Sequence, residues 1–275
     1  MRTLIVGFAI CASVVVPATL LLMWPPWWLA GIGVMALSHA LVLWPTLRPN
    51  SQWLGPVMTC FETTSDEVWL TIDDGPTDDT PALLDALDAR GVKATFFVKG
   101  CLAAQRPDLV RMILARGHGV ANHSQTHPSG AFWCLPPRAI ESQIDACSAA
   151  LETIAAADVS DSTGEAAGAP LSNGSRLFRA PVGMKNPFVH PILARRGMML
   201  VGWSVRGFDS FGEDVERVAQ RVVRRIVPRV RAGSIVVMHQ GRSFSVPCVS
   251  SVADALLARG YSFVIPVDER LKTKR

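Results

Sequence analysis

Apolar residues follow two different rhythms along this chain. From Thr3 to Leu47 there is no Asp, Glu, Lys or Arg, and within that stretch Leu4 to Met23 and Trp27 to Trp44 form two runs in which Ser38 and His39 are the main polar breaks of the second. A helix needs about 20 apolar residues to cross the hydrocarbon of a bilayer, so each run is long enough. Between them lies Trp24-Pro25-Pro26-Trp27-Trp28. Two prolines stop a helix and indoles prefer the headgroup region, so the pattern predicts a transmembrane helical hairpin over residues 1–47. A signal peptide with Arg2 as its basic start is the competing interpretation, disfavoured by the length of the apolar region and the lack of a small-residue cleavage site. The flanking charges Arg2 and Arg48 would put both hairpin ends in the cytoplasm, whereas a break at Pro17 would reverse the topology.

After Arg48 the rhythm changes. A segment rich in Pro, Ser and Gly over 48–66 reads as a linker, and from Glu67 short β-branched runs alternate with helical patterns, which argues for an α/β fold with largely parallel strands. Strands are expected at Val68–Ile72, Ala94–Val98, Gly119–Asn122, Leu177–Arg179, Met198–Val205, Gly233–His239 and Ser262–Val267. Helices are expected at Pro81–Ala89 with Thr80 as N-cap, Pro107–Arg116, Arg138–Ala157, Pro187–Arg196 and Val246–Ala258. Another follows from Val215, Val218, Val222 and Ile226 at helical spacing, with Glu213 and Asp214 at its positive end and Arg224 and Arg225 at its negative end. Ser160–Ser175 reads as a surface loop, and 269–275 as a basic tail. The count suggests a barrel-like sheet wrapped by helices over 67–268, a fold whose sites gather at the C-terminal ends of the strands.

Composition adds little. The formal net charge of +4 is not accompanied by any zinc-finger, helix-turn-helix or aromatic RNA-binding pattern, so no nucleic-acid partner is expected. Cysteines at 11, 60, 101, 134, 147 and 248 form no C-x-x-C pair and no disulfide spacing, which leans toward a reduced compartment.

Chemistry enters with the polar residues that follow the apolar strands: Asp73 and Asp74, His123 and His127, Arg179, Asp209 and His239. The strand-end rule would bring all of them to one rim. His123 and His127 could meet one ion if their segment made a helical turn, and Asp74 could complete a two-histidine, one-carboxylate set with open positions, as a catalytic metal needs. Each piece alone has an ordinary alternative as a capping group, a solvated turn or an ion-pair partner.

Together, Thr71-Ile-Asp-Asp-Gly-Pro76, His123-Ser-Gln-Thr-His127, Arg179-Ala-Pro-Val-Gly183 and Val237-Met-His239 resemble successive motifs of the polysaccharide deacetylases, carbohydrate esterase family four, the NodB-homology group. The resemblance implies an irregular (β/α) barrel of about seven parallel strands and hydrolysis of an N-acyl group, chiefly N-acetyl, on an amino sugar. It makes Asp74, His123 and His127 ligands of a divalent metal, with Zn(2+) the leading choice. It makes Asp73 the general base oriented by Arg179 and His239 the general acid supported by Asp209, and it places Pro181, Gly183 and Trp203 against substrate. The chain departs from the motifs where the family commonly has Asp and Trp: here Arg206 and Ser210 stand, so Phe208, Phe211 or Trp133 would have to supply the missing wall.

The expected partners are an amino-sugar glycan or a lipid-linked amino sugar, and membrane lipids through residues 3–47. The expected location is a membrane, the bacterial inner membrane. Two readings of other classes compete: a non-catalytic glycan-binding or scaffold protein, which should lack a ligand, the base or the acid, and a D-x-D-G-T phosphatase, which needs its two carboxylates one residue apart.

Overall fold

The computed structural model describes residues 11–19, 22, 28–161, 176–212 and 214–273. Half of the first apolar run, the Trp24–Trp27 turn, residues 162–175 and Glu213 lie outside the described residues, and with them the hairpin expectation, while Ser160 and Asp161 of the expected loop end the helix Pro137–Asp161. Of the described residues, 11–19 are helical and Trp28–Leu47 forms a 20-residue helix. Its Leu29–Leu47 portion is long and apolar enough to cross a membrane, by length and composition, and side chains such as Leu37, Leu41 and Trp44 are exposed on it.

Among the described residues, ten strands make one mixed sheet: β1 (Cys60–Phe61), β2 (Glu67–Gly75), β3 (Ala94–Val98), β4 (Gly119–Asn122), β5 (Leu177–Phe178), β6 (Met199–Leu200), β7 (Val205–Arg206), β8 (Ser234–His239), β9 (Ser262–Phe263) and β10 (Leu271–Lys272). Seven run parallel in the order β7-β8-β2-β3-β4-β5-β6, and β9 joins β2 as an eighth parallel strand. No ladder joins β6 to β7, so the sheet is an open half-barrel instead of a closed one. The expected single strand over Met198–Val205 is therefore two short strands. Its middle is diverted: the carbonyls of Val201 and Gly202 accept hydrogen bonds from the Arg179 side chain, and the Gly202 N–H donates to Met58.

Both ends of the domain depart from the expected linker and tail. The segment 48–66 is packed, with Val57 and Phe61 buried and β1 paired antiparallel to both β8 and β10. The expected tail supplies β10, and the last parallel strand stops at Phe263, four residues early, after two residues of pairing with β2. Among the helices, Thr80 is inside the first turn of Thr80–Asp88, where its hydroxyl accepts from the Thr77 N–H instead of capping. Asp214 caps Val215–Ile226 by accepting the Arg217 N–H at 2.8 Å, a contact that contributes about 1 kcal/mol.

Strand alternation separates two cores. Val68, Leu70 and Ile72 of β2 face the helices, packing with Leu83, Leu87, Val222 and Val252, and each such buried aliphatic contributes about 1.5–3 kcal/mol. Trp69 faces the concave side with Phe97, Trp203 and Ile235. Covered on both faces, the parallel strands are buried almost throughout.

Candidate active site

The concave face of β2 carries Trp69, then Thr71, then Asp73, as a period of two requires. The parallel ladder pairs Asp73 with His239 of β8 on one side and with Phe97 of β3 on the other. Adjacent residues of a regular strand point to opposite faces, yet Asp74 reaches the same cavity. The register against β3 shifts between Asp73 and Gly75, and Asp74 takes a left-handed backbone (φ 77°), a bulge that re-aims one side chain.

Arg179, fully buried at the end of β5, ties Asp73 down. One guanidinium nitrogen, Nη1, donates to Asp73 Oδ1 at 2.7 Å and to Thr71 Oγ1 at 2.8 Å, while Nη2 and Nε donate to backbone carbonyls and the Phe97 ring lies 4.0 Å from the charge. Its donors are spent on a single geometry, which leaves Asp73 one free oxygen. Oδ2 lies 3.8 Å from His123 Nε2.

His123 and His127 are not on a helical turn. The chain leaves β4 in a bend in which Ser124 (φ 67°) and His127 (φ 51°) are left-handed, braced by Asn122 Oδ1 accepting the Ser124 N–H and Ser124 Oγ accepting the His127 N–H. The rings still come within 4.7 Å of one another, centroid to centroid. His123 Nδ1 donates to the Arg179 carbonyl and His127 Nδ1 meets Ser129 Oγ, so each imidazole keeps Nε2 for another partner. His127 Nε2 stands 3.5 Å from Asp74 Oδ1, and one donor atom from each of Asp74, His123 and His127 lies within 4.8 Å of the others. Burial pushes His123 below the ordinary imidazole range and is the main cause that pushes His127 down to about 4, so near neutral pH both are neutral donors. Burial works against the Asp74 carboxylate, but His123, His127 and Lys99, the last at 3.5 Å, outweigh it and hold the acid below its usual range. Two neutral imidazoles oriented from behind and one ionised carboxylate fit a divalent metal of the zinc kind.

Opposite this triad, Asp209 grips His239 twice, Oδ2 accepting its backbone N–H at 2.7 Å and Oδ1 lying 3.0 Å from its Nδ1. Burial opposes the imidazolium, but that hydrogen bond and the charges of Asp209, Asp73 and Asp74 prevail, raising His239 to about 9. The cavity between these groups measures about 300 Å³, and Gly183, Trp203, Phe208 and Phe211 stand on its walls. Two phenylalanines thus occupy the wall beside Ser210, whereas Trp133 is not among the lining residues. Neither is Pro181, which is buried behind the exposed Val182. Sequence reasoning missed Val182, Ser129, Arg242 and Lys99. Only Ser129, two residues beyond His127, carried a signal in its position.

A family model described as polysaccharide deacetylase matches residues 62–163. A chitooligosaccharide deacetylase from Bradyrhizobium sp. (strain ANU 289) is 31% identical over 206 residues, covering 74% of this chain and 84% of that protein. A peptidoglycan-N-acetylglucosamine deacetylase from Listeria monocytogenes is 33% identical over 208 residues, 75% of this chain and 39% of that protein. The solved family 4 carbohydrate esterase from Streptomyces lividans, in complex with acetate, superimposes with a TM-score of 0.62 at 28% identity, over 78% of this chain and 98% of that one. With its fold, its motifs and a relative of this identity and coverage in agreement, the chain belongs to the polysaccharide deacetylases, carbohydrate esterase family four.

Proposed function

We propose that this protein is a metal-dependent hydrolase that removes an N-acetyl group from an amino sugar in a glycan. One observation carries the reading: around Asp74, His123 and His127 stand two tethered acid–base groups on neighbouring strands, Asp73 with Arg179 and His239 with Asp209. When bound to the triad, a divalent metal, best Zn(2+), supplies Lewis acidity that polarises the amide carbonyl and acidifies water. Asp73 accepts the proton of the attacking water at its free carboxylate oxygen, and Arg179 holds that carboxylate in one orientation through its other oxygen. His239 gives a proton from Nε2 to the leaving amine nitrogen while Nδ1 stays with Asp209. Trp203, Gly183 and the two phenylalanines position the sugar. Base, acid and every ligand are present, which counts against a purely glycan-binding role.

The apolar segments within 1–47 act as a membrane anchor, which locates the protein at the bacterial inner membrane, and the catalytic unit built on 67–268 includes β1 and β10 from its two flanks.

The test is amine release from chitooligosaccharides by purified full-length protein with zinc. Chelation should abolish it and added metal restore it, and Asp73→Asn should lower kcat by roughly 10²–10⁴-fold. A folded, metal-loaded protein that frees no amine from any N-acetyl amino sugar would end this reading.

A further inference from the structure

Two arginines stand between the catalytic cavity and the end of the apolar helix, and among the described residues neither forms an ion pair with a carboxylate. Arg48 follows the helix Trp28–Leu47, its guanidinium 3.7 Å from the Trp44 ring centroid. Arg206 lies on β7, its guanidinium 4.1 Å from the Phe208 centroid at the cavity wall.

Their proximity is enforced by the clamp that holds the helix end to the domain. Lys185 is fully buried, and its Nζ donates to the Arg48 carbonyl at 3.0 Å and the Pro49 carbonyl at 2.8 Å. The Asn50 amide donates to the Trp203 carbonyl at 2.6 Å, and Gly183 admits the chain so closely that a Cβ there would stand 2.6 Å from Pro49 Cβ. The helix end and the rim of the cavity are therefore one surface.

That surface holds three adjoining depressions. The catalytic cavity shares Trp203 and Arg206 with a polar hollow of about 450 Å³ that also takes in Arg48, Asn50 and Trp44. The hollow in turn shares Trp44 and Ser51 with an apolar one of about 400 Å³ formed by Leu41, Pro45 and Trp53 against the helix. In order, these suit an amino sugar, an anion and a hydrocarbon chain. Guanidinium groups match phosphate oxygens in a bidentate fork, and tryptophan sits at the headgroup level of a bilayer.

We propose that the substrate is an N-acylated amino sugar joined through phosphate or diphosphate to a long apolar chain: the sugar enters the catalytic cavity, the phosphate lies between Arg48 and Arg206, and the chain runs past Trp44 and Leu41 into the bilayer. This rests on the deacetylase reading above and assigns its substrate class.

The test uses the full-length, zinc-loaded protein in phospholipid vesicles and measures amine release from three probes: polyprenyl-diphosphate-linked N-acetylglucosamine, UDP-N-acetylglucosamine and a chitooligosaccharide. The lipid-linked probe should exceed both others in kcat/KM by at least about tenfold, because charge-assisted phosphate contacts and chain burial act on it together. Arg48→Gln and Arg206→Gln should each reduce the ratio of lipid-linked to chitooligosaccharide turnover by about tenfold. A ratio is read because partial loss of folded protein leaves it unmoved. Chitooligosaccharide turned over as well as the lipid-linked probe, or a ratio untouched in both variants, would overturn the proposal. Equal use of the UDP sugar would overturn the lipid assignment. Amine from none of the probes would instead bring down the deacetylase reading itself, and this proposal with it.

Discussion

Five non-glycine residues among those described hold a left-handed backbone: Asp74, Ser124, His127, Val182 and Phe208. Four of them line the catalytic cavity, and Ser124 separates the two histidines from one another. Such conformations cost about 1–3 kcal/mol each and persist where surrounding contacts over-determine them, so their concentration here marks residues held for their direction. Phe208 precedes Asp209, whose carboxylate reaches both the backbone and the ring of His239. Asp209→Asn should leave that geometry nearly intact while removing the charge that sustains the imidazolium against burial. An acid catalyst works only while protonated. His239 in the variant loses its proton at lower pH, so the alkaline limb of the kcat/KM profile should move to lower pH, with kcat down by about 10²–10⁴-fold. A pH–rate profile with an unmoved limb would show that Asp209 does not tune the acid.

At the level of elements, the site depends on small departures from regular structure: a register shift in β2, a bend after β4 and an interrupted ladder between β6 and β7. The regular parts are held by ordinary burial, and one of these carries a pH dependence. His118 enters β4 with its side chain buried, its Nδ1 accepting the Ala94 N–H of β3 and its ring edge-on to Phe96 at 5.7 Å. Burial, joined by the charge of Lys93 and opposed by Asp88, pushes it down to about 4. The folded protein thus keeps His118 neutral while the unfolded chain takes up a proton below its ordinary value of about 6.5. Stability from this group is full above that value and falls as pH drops toward about 4, by up to roughly 3 kcal/mol. His190, also pushed down to about 4 by burial, acts in the same direction. Denaturant melts of wild type and His118→Gln between pH 7 and 4 should show a shallower decline in the variant. Equal slopes would refute the assignment.

For the whole molecule, the triad draws together three segments far apart in the chain: the end of β2, the bend after β4 and, through the Arg179 carbonyl on His123, the end of β5. A metal bound only by the folded state must then stabilise it. Zinc at about 100 times its dissociation constant should raise unfolding free energy by about 2.7 kcal/mol, read as a rise in Tm. Asp74→Ala should largely remove that rise, and an identical rise in the variant would place the metal elsewhere.

What the sequence by itself determined was the material of this arrangement. Strand and helix periods marked β3 and β4 to the residue and located the other principal elements to within a few positions, because buried parallel strands and amphipathic helices write their packing into local pattern. The four motifs likewise named Asp73, Asp74, His123, His127, Arg179 and His239, since each follows an apolar run that ends at the rim. Tertiary structure decided what local pattern cannot encode. Alternation alone would send Asp73 and Asp74 to opposite faces, and a left-handed Asp74 turns them to one cavity. Helical spacing offered one route for two histidines to meet, and a hydrogen-bonded bend takes another. The segment 48–66 looked like a linker because its Pro, Ser and Gly lack any period, yet its partners lie more than a hundred residues away, in Lys185, Trp203, Ser234 and Lys272. Contacts at such separation leave no repeat in the chain, so only the folded molecule could bring the helix end beside the cavity.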